Sequence, residues 1–172
     1  MPNWFGDALG SAIGLAAILL GALYNARLMR RRDDKIMNDE AKAIAAAIGA
    51  EMGVYAEMLG SLYMQASVPP DSGKSMAIVR ALRAPDLTVW PAMAGKVGLL
   101  GPDLAGRTVR SWMLLSMHAR MLQASVDDTL AGEWDEKRIR GRADFLKMDF
   151  PKIADTVQAL TGARPDLDYI IP

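Results

Sequence analysis

Cysteine is absent from the 172 residues. Structural disulfides and thiolate-ligated zinc or iron–sulfur sites are therefore excluded. Histidine occurs once, as His118. With no cysteine, and no serine–histidine–aspartate context around that one imidazole, the sequence names no nucleophile. Aromatic residues make up only 6% of the chain, and β-branched residues rarely cluster. Alanine, leucine and methionine supply much of the 51% apolar share. They lose little rotamer freedom in a helix, so this scarcity and this abundance both argue for helix over sheet.

Net charge is also lacking: 20 Lys and Arg balance 20 Asp and Glu. Asp7 is the only charged residue before Arg27, so the rest of the chain carries a net charge of only +1. A nucleic-acid binder concentrates basic excess on a domain. Nucleic acid is accordingly set aside as a partner. The first 26 residues hold no lysine or arginine, and the chain opens MPNWFGD. A cleaved signal peptide starts with positive charge and ends at a small-residue cleavage site. The opening segment is therefore expected to stay on as an anchor.

What the amino terminus does have is an uncharged run, Ala8 to Tyr24, reading ALGSAIGLAAILLGALY. Seventeen residues of helix cover roughly 25 Å, slightly less than a hydrocarbon core of about 30 Å. Trp4 and Phe5 can sit at one interface, with Tyr24 and a snorkelling Arg27 at the other. Arg27, Arg30, Arg31, Arg32 and Lys35 follow the run. Lys and Arg beside a span stay on the cytoplasmic side. The expected topology is single-pass, with the amino terminus outside and the body cytoplasmic, in an inner (cell) membrane. The same cations can meet anionic headgroups of the lipid bilayer. Gly6, Gly10, Gly14, Ala17 and Gly21 form a small-residue ridge that allows a second helix to approach closely in lipid.

No proline or turn cluster interrupts the chain until Ser67, so the helix is expected to run on from the anchor. Ala41, Ala45, Ile48, Met52, Tyr55, Leu59 and Leu62 step by four and three, the spacing of a coiled-coil seam. Ile44 and Met58 widen that face, while Gly49, Gly53, Ala56 and Gly60 make a small-residue strip on its other flank. A helical glycine costs about 1 kcal/mol relative to alanine, which close packing against another helix offsets.

Four regions are thus expected: an anchor over 1–26, a juxtamembrane amphipathic helix over 27–66, a bundle over 67–162 and an extended tail over 163–172. Residues 67–75, SVPPDSGKS, are a loop. Their GKS has no glycine five positions before Gly73, so it is not a phosphate loop. Met76 to Arg83 reads as a short helix, and Thr88 to Val97 as another, with Pro91 in its first turn and Gly98 as its stop. Pro102 opens a long helix to about Ala131, capped by Gly132. Gly95, Gly98 and Gly101, spaced by three without a strand–turn–helix context, read as hinges. Trp134 begins the last helical region, which Pro151 should kink or split after Asp149, and Gly162 ends it. In the tail, Tyr169, Ile170 and Ile171 either fold back on the body or enter a partner's groove.

Candidate chemistry is sparse. His118 lies among methionines, and His with Met can ligate haem iron or copper. Met113, Met117 and Met121, however, are spaced as a core-facing stripe, and His118 points about 100° away from Met117. Asp127, Asp128, Glu133, Asp135 and Glu136 cluster at a helix junction, where the helix dipole favours acids. Trp90 and Trp112 read as core. No cofactor, metal or small-molecule substrate is identified.

The sequence therefore predicts an all-α protein: one amino-terminal transmembrane helix continuing into a long cytoplasmic helix, with an irregular helical bundle packed on it. The expected role is a non-catalytic scaffold or accessory subunit that meets other protein subunits, or itself, through helix packing. Ala45, Ile48, Gly49, Met52, Gly53, Tyr55, Leu59, Gly60 and Leu62 form the helix-helix interface. One alternative is a small oligomerising membrane-active protein of the holin or toxin kind. Another is a cofactor-binding accessory subunit using His118.

Overall fold

A computed structural model describes residues 4–66, 80, 82 and 87–165, with side chains from Ile13 onward. All regular structure among these is helical. Helix α1 spans Trp4–Ala66, α2 spans Val89–Met93, α3 spans Pro102–Leu130 and α4 spans Glu136–Thr161; a 3₁₀ helix, Ala94–Leu100, joins α2 to α3. The loop expected over 67–75, most of the Met76–Arg83 helix and the tail from Asp166 lie outside the described residues.

The chain divides into two compact units, residues 1–40 and 41–172. The first is the leading part of α1. Its described large apolar side chains are all open, from Ile13 at 64% and Ile18 at 71% exposure to Leu23 at 67%. This is the one helix among the described residues long and apolar enough to cross a membrane.

The second unit is a helical bundle. Along α1, Ile44, Ile48, Met52, Tyr55, Leu59 and Tyr63 are buried. Complete burial of a side chain such as Leu59 contributes about 1.5–3 kcal/mol. Met58, expected to widen this face, is 40% exposed. On the glycine flank, a Cβ added to Gly49 would fall 2.8 Å from Leu160 Cβ and 2.5 Å from Thr161 Cγ2; one added to Gly53 would sit 3.5 Å from Val157 Cγ1. The carboxyl end of α4 therefore lies directly on the α1 backbone, an approach that no side chain at Gly49 would permit.

Three boundaries differ from sequence expectation. The helix expected from Thr88 to Val97 is α2 followed by the 3₁₀ turns; it runs through Gly98 and stops at Gly101, where φ is 80°. Helix α4 starts at Glu136 rather than Trp134, because the Asp135 side chain accepts from the Arg138 amide at 3.1 Å and caps it. Pro151 does not split α4, which is continuous from Glu136 to Thr161. Its ring faces solvent, while Phe150, Ile153 and Ala154 beside it are buried. Packing on both sides holds the helix through the lost hydrogen bond. Gly162, at φ 78°, closes α4 by donating to the Gln158 carbonyl at 2.8 Å.

Candidate functional site

Helices α3 and α4 meet through three polar rungs at heptad intervals. The Ser111 hydroxyl donates to Thr156 Oγ1 at 2.8 Å. His118 Nε2 lies 3.2 Å from Asp149 Oδ2. Arg142 donates to the Ser125 hydroxyl and, at 3.1 Å, to the Met121 carbonyl. As the α3 number rises by seven, the α4 number falls by seven, so the helices run antiparallel in strict register. Leu115, Leu122, Leu146 and Ile153, all fully buried, fill the layers between. A slip by one turn would set polar groups against leucine, so the ladder selects one register.

The middle rung holds the most deeply buried polar side chain of the three. His118 is 0% exposed, and its Nδ1 has no partner among the described residues. Burial lowers the His118 pKa below 6.5, and the hydrogen bond to Asp149 opposes that shift. Asp149 is held below its ordinary value first by the hydrogen bond from Lys152 Nζ, at 2.9 Å, with His118 adding to it. Tyr63 of α1 donates to the His118 carbonyl at 3.0 Å, and burial pushes its phenol up to about 12. This rung thus ties all three long helices together. His118 thus makes two hydrogen bonds within the protein, one at Nε2 to Asp149 and one at its backbone carbonyl from Tyr63.

The methionines are placed opposite to expectation. Met113 is 66% exposed and Met117 43% exposed, whereas Thr108, Ser111, Leu115, His118, Leu122, Ser125 and Thr129 face the core. Hydroxyls make this possible by bonding their own helix: Thr108 to Leu104, Ser125 to Met121 and Thr129 to Ser125. Val109 and Leu130, apolar by sequence, are also exposed at 41% each. His118 and the methionines consequently lie on different sides of α3 and do not form one ligand set. Instead Met113, Met117 and Met121 line an open groove of about 590 Å³ with Trp112, Arg120 and Arg142.

A second cluster fixes the short helix. Glu51 of α1 accepts from the backbone amides of Thr88, Val89 and Trp90 at 2.7–2.8 Å, supplying the cap that Thr88 does not. Trp90 then stacks on Trp112, with ring centroids 4.8 Å apart, and Trp112 on Tyr55 at 6.3 Å. Sequence gave no sign of this cap, because its partner is 37 residues away. Glu51→Ala should cost about 1–2 kcal/mol. Hydrogen exchange should show the Thr88–Trp90 amides losing protection while those of α3 keep theirs.

Elsewhere, Asp128 pairs with Arg138 at 3.0 Å and lies 3.8 Å from Arg142, so the acidic junction is engaged in helix capping and ion pairs. No group of three or more His, Asp or Glu is poised to hold a metal among the described residues. Of the interface residues expected on α1, Ile48, Gly49, Met52, Gly53, Tyr55, Leu59 and Gly60 are buried and Ala45 and Leu62 half-buried. In the amino-terminal unit, Gly14 and Gly21 have open space where a Cβ would stand, Ala17 is exposed, and the side-chain surroundings of Gly6 and Gly10 lie outside the description. Arg27, Arg30, Arg31, Arg32 and Lys35 are all exposed. Comparison with protein-family models, with curated proteins and with solved structures finds no match.

Proposed function

We propose that the protein is a single-pass, membrane-anchored, non-catalytic scaffold or accessory subunit that presents a helical body at the cytoplasmic face of an inner membrane. The observation that carries this reading is the first unit. It is a helix with every described large apolar side chain open and no lysine or arginine before Arg27, followed by Arg27, Arg30, Arg31, Arg32 and Lys35. In lipid those side chains need no protein partner, and the cations set the orientation. The body adds an ordered bundle whose polar groups are spent on its own register, together with an open apolar groove for contact with other proteins.

The absence of cysteine makes the test clean. Single cysteines at Asn3 and Ser72 leave one label site each. An impermeant thiol reagent applied to intact cells should modify the Asn3 variant and spare the Ser72 variant until the membrane is opened. The reverse pattern would overturn the topology, and release of the protein by alkaline carbonate would overturn the anchor.

A second reading, an oligomerising membrane-active protein, is favoured by the open ridge at Gly14 and Gly21. Dye release from liposomes carrying the protein would select it over the scaffold.

A further inference from the structure

The methionine groove of α3 has the form that helix packing requires. Met113, Met117 and Met121 make one row at four-residue spacing, and Trp112, Ser116, Arg120 and Ala124 make the next row beside it. Rows at this spacing are the ridges between which a second helix seats its own side chains. From Met113 to Ala124 the groove runs about 16 Å, a length filled by about eleven residues of helix. Trp112 at its base stacks on both Trp90 and Tyr55, so the floor is fixed before anything docks. Met113 and Met117 stand exposed along its wall, and such unbranched side chains adapt to the shape laid against them.

Charge narrows the occupant. None of the residues lining the groove is acidic, and two are arginines. Arg142 is committed, donating to the Ser125 hydroxyl and the Met121 carbonyl. Arg120 is exposed and makes no ion pair or hydrogen bond among the described residues. The next acid along α3, Asp127, is outside the groove lining and accepts from Gln123 at 2.9 Å. We infer that the groove receives an amphipathic helix of a partner protein, its apolar face on the methionines and an Asp or Glu on its flank at Arg120. A helix flanked by lysine or arginine would set like charges together and is disfavoured. A wholly apolar helix would cover Arg120 without offering it a counter-charge. Resting on the scaffold reading above, this gives the partner of the body a chemistry: apolar on one face, acidic beside it.

Two synthetic peptides of about eighteen residues, or five helical turns, serve as probes. Both lack methionine and carry leucine along one helical face; the flanking positions are glutamate in one and lysine in the other. The full chain is held in phosphatidylcholine nanodiscs, and oxidation of each methionine by dilute peroxide is followed by mass spectrometry. A groove filled about nine-tenths of the time slows oxidation of Met113 and Met117 about tenfold. Met148, exposed on α4, and Met64, exposed on α1, should keep their rates. The glutamate peptide should give this protection and the lysine peptide should not. Arg120→Glu should leave the melting temperature unchanged, remove protection by the glutamate peptide and confer it on the lysine peptide. Arg120→Gln should weaken the former without creating the latter. Protection by both peptides alike, by neither, or at Met148 instead would overturn the acidic partner and leave the anchor and its topology standing. Slow oxidation without peptide that quickens on dilution would assign the groove to a second copy and overturn the inference. Slowing by anionic lipid in place of peptide would assign it to the bilayer, with the same consequence. Reversed labelling at Asn3 and Ser72, by contrast, would strike the topology and not the groove.

Discussion

Replacing Gly49 by alanine should destabilise the body, whereas the same change at Gly53, one turn away, should leave it unchanged or stabilise it. Both sites gain about 1 kcal/mol of helix propensity from the substitution. They differ in what the new methyl group meets. At Gly49 it would lie 2.8 Å from Leu160 Cβ and 2.5 Å from Thr161 Cγ2. Leu160 Cβ is fixed to the α4 backbone, and the Thr161 hydroxyl is bonded to the carbonyls of Val157 and Ala163, so neither neighbour can turn aside cheaply. Relief requires moving the end of α4 away from α1. Overpacking of this kind costs typically 1–3 kcal/mol. Gly49→Leu should exceed that range and lower the melting temperature further. At Gly53 the methyl group would rest 3.5 Å from Val157 Cγ1, an ordinary van der Waals contact, and the propensity gain survives. Thermal unfolding of the two alanine variants side by side decides the matter. Equal shifts would mean that α4 does not sit on the α1 backbone at Gly49.

How much of this was legible in the sequence depends on whether the governing interaction was local. Helix α1 runs to Ala66, immediately before the turn-rich stretch that begins at Ser67, since nothing earlier competes with helix. The three-four rhythm of Ile48, Met52, Tyr55 and Leu59 identifies their common buried face, because each is apolar in its own right. Helix α3 defeated the same rule. Its core face carries Thr108, Ser111, His118, Ser125 and Thr129, and hydropathy alone hands the core to Met113, Met117 and Met121 instead. Thr108 and Thr129 are satisfied by carbonyls of their own helix, and Ser111, His118 and Ser125 by pairing with Thr156, Asp149 and Arg142. That pairing joins two helices, each of which reads as merely polar at these positions. The heptad spacing of 111, 118 and 125 against 142, 149 and 156 was present as a signal, but it has meaning only once the helices are known to be antiparallel. Pro151 erred in the opposite direction: a strong local rule was overridden by burial of Phe150, Ile153 and Ala154 on either side. The Glu51 cap, whose partner Thr88 is 37 positions further along the chain, had no local signature at all.

The middle rung of that ladder should make the stability of the body sensitive to acid, and Asp149→Ala should make it more so. His118 is fully buried, and its pKa lies below 6.5 in the folded protein because burial disfavours the imidazolium. An unfolded chain takes up a proton near 6.5 while the folded one does not. Below that value the unfolded state binds more protons, and stability falls with falling pH. Above 6.5 both states are neutral at this residue and the dependence vanishes. Asp149 contributes in a lower window: its folded pKa is depressed below 3.8, chiefly by Lys152, so its stabilisation is present above 3.8 and lost as pH falls through the folded value. Melting temperature should therefore be flat from pH 8 to 7, decline from 6.5 downward, and drop again below 3.8. Asp149→Ala leaves Nε2 and Nδ1 of the fully buried His118 both without protein partners. Stranding a buried polar group costs about 1–3 kcal/mol at neutral pH. The variant also loses the carboxylate that opposes the lowering of the His118 pKa, so the decline below 6.5 should extend further into acid than in the parent protein. His118→Leu removes the titrating group and keeps a similar apolar volume against Leu115 and Leu122. Its melting temperature should stay level between pH 7 and 5, even if its value at pH 7 is lower. A parent-like decline in His118→Leu would place the acid sensitivity in another group and remove His118 from the account.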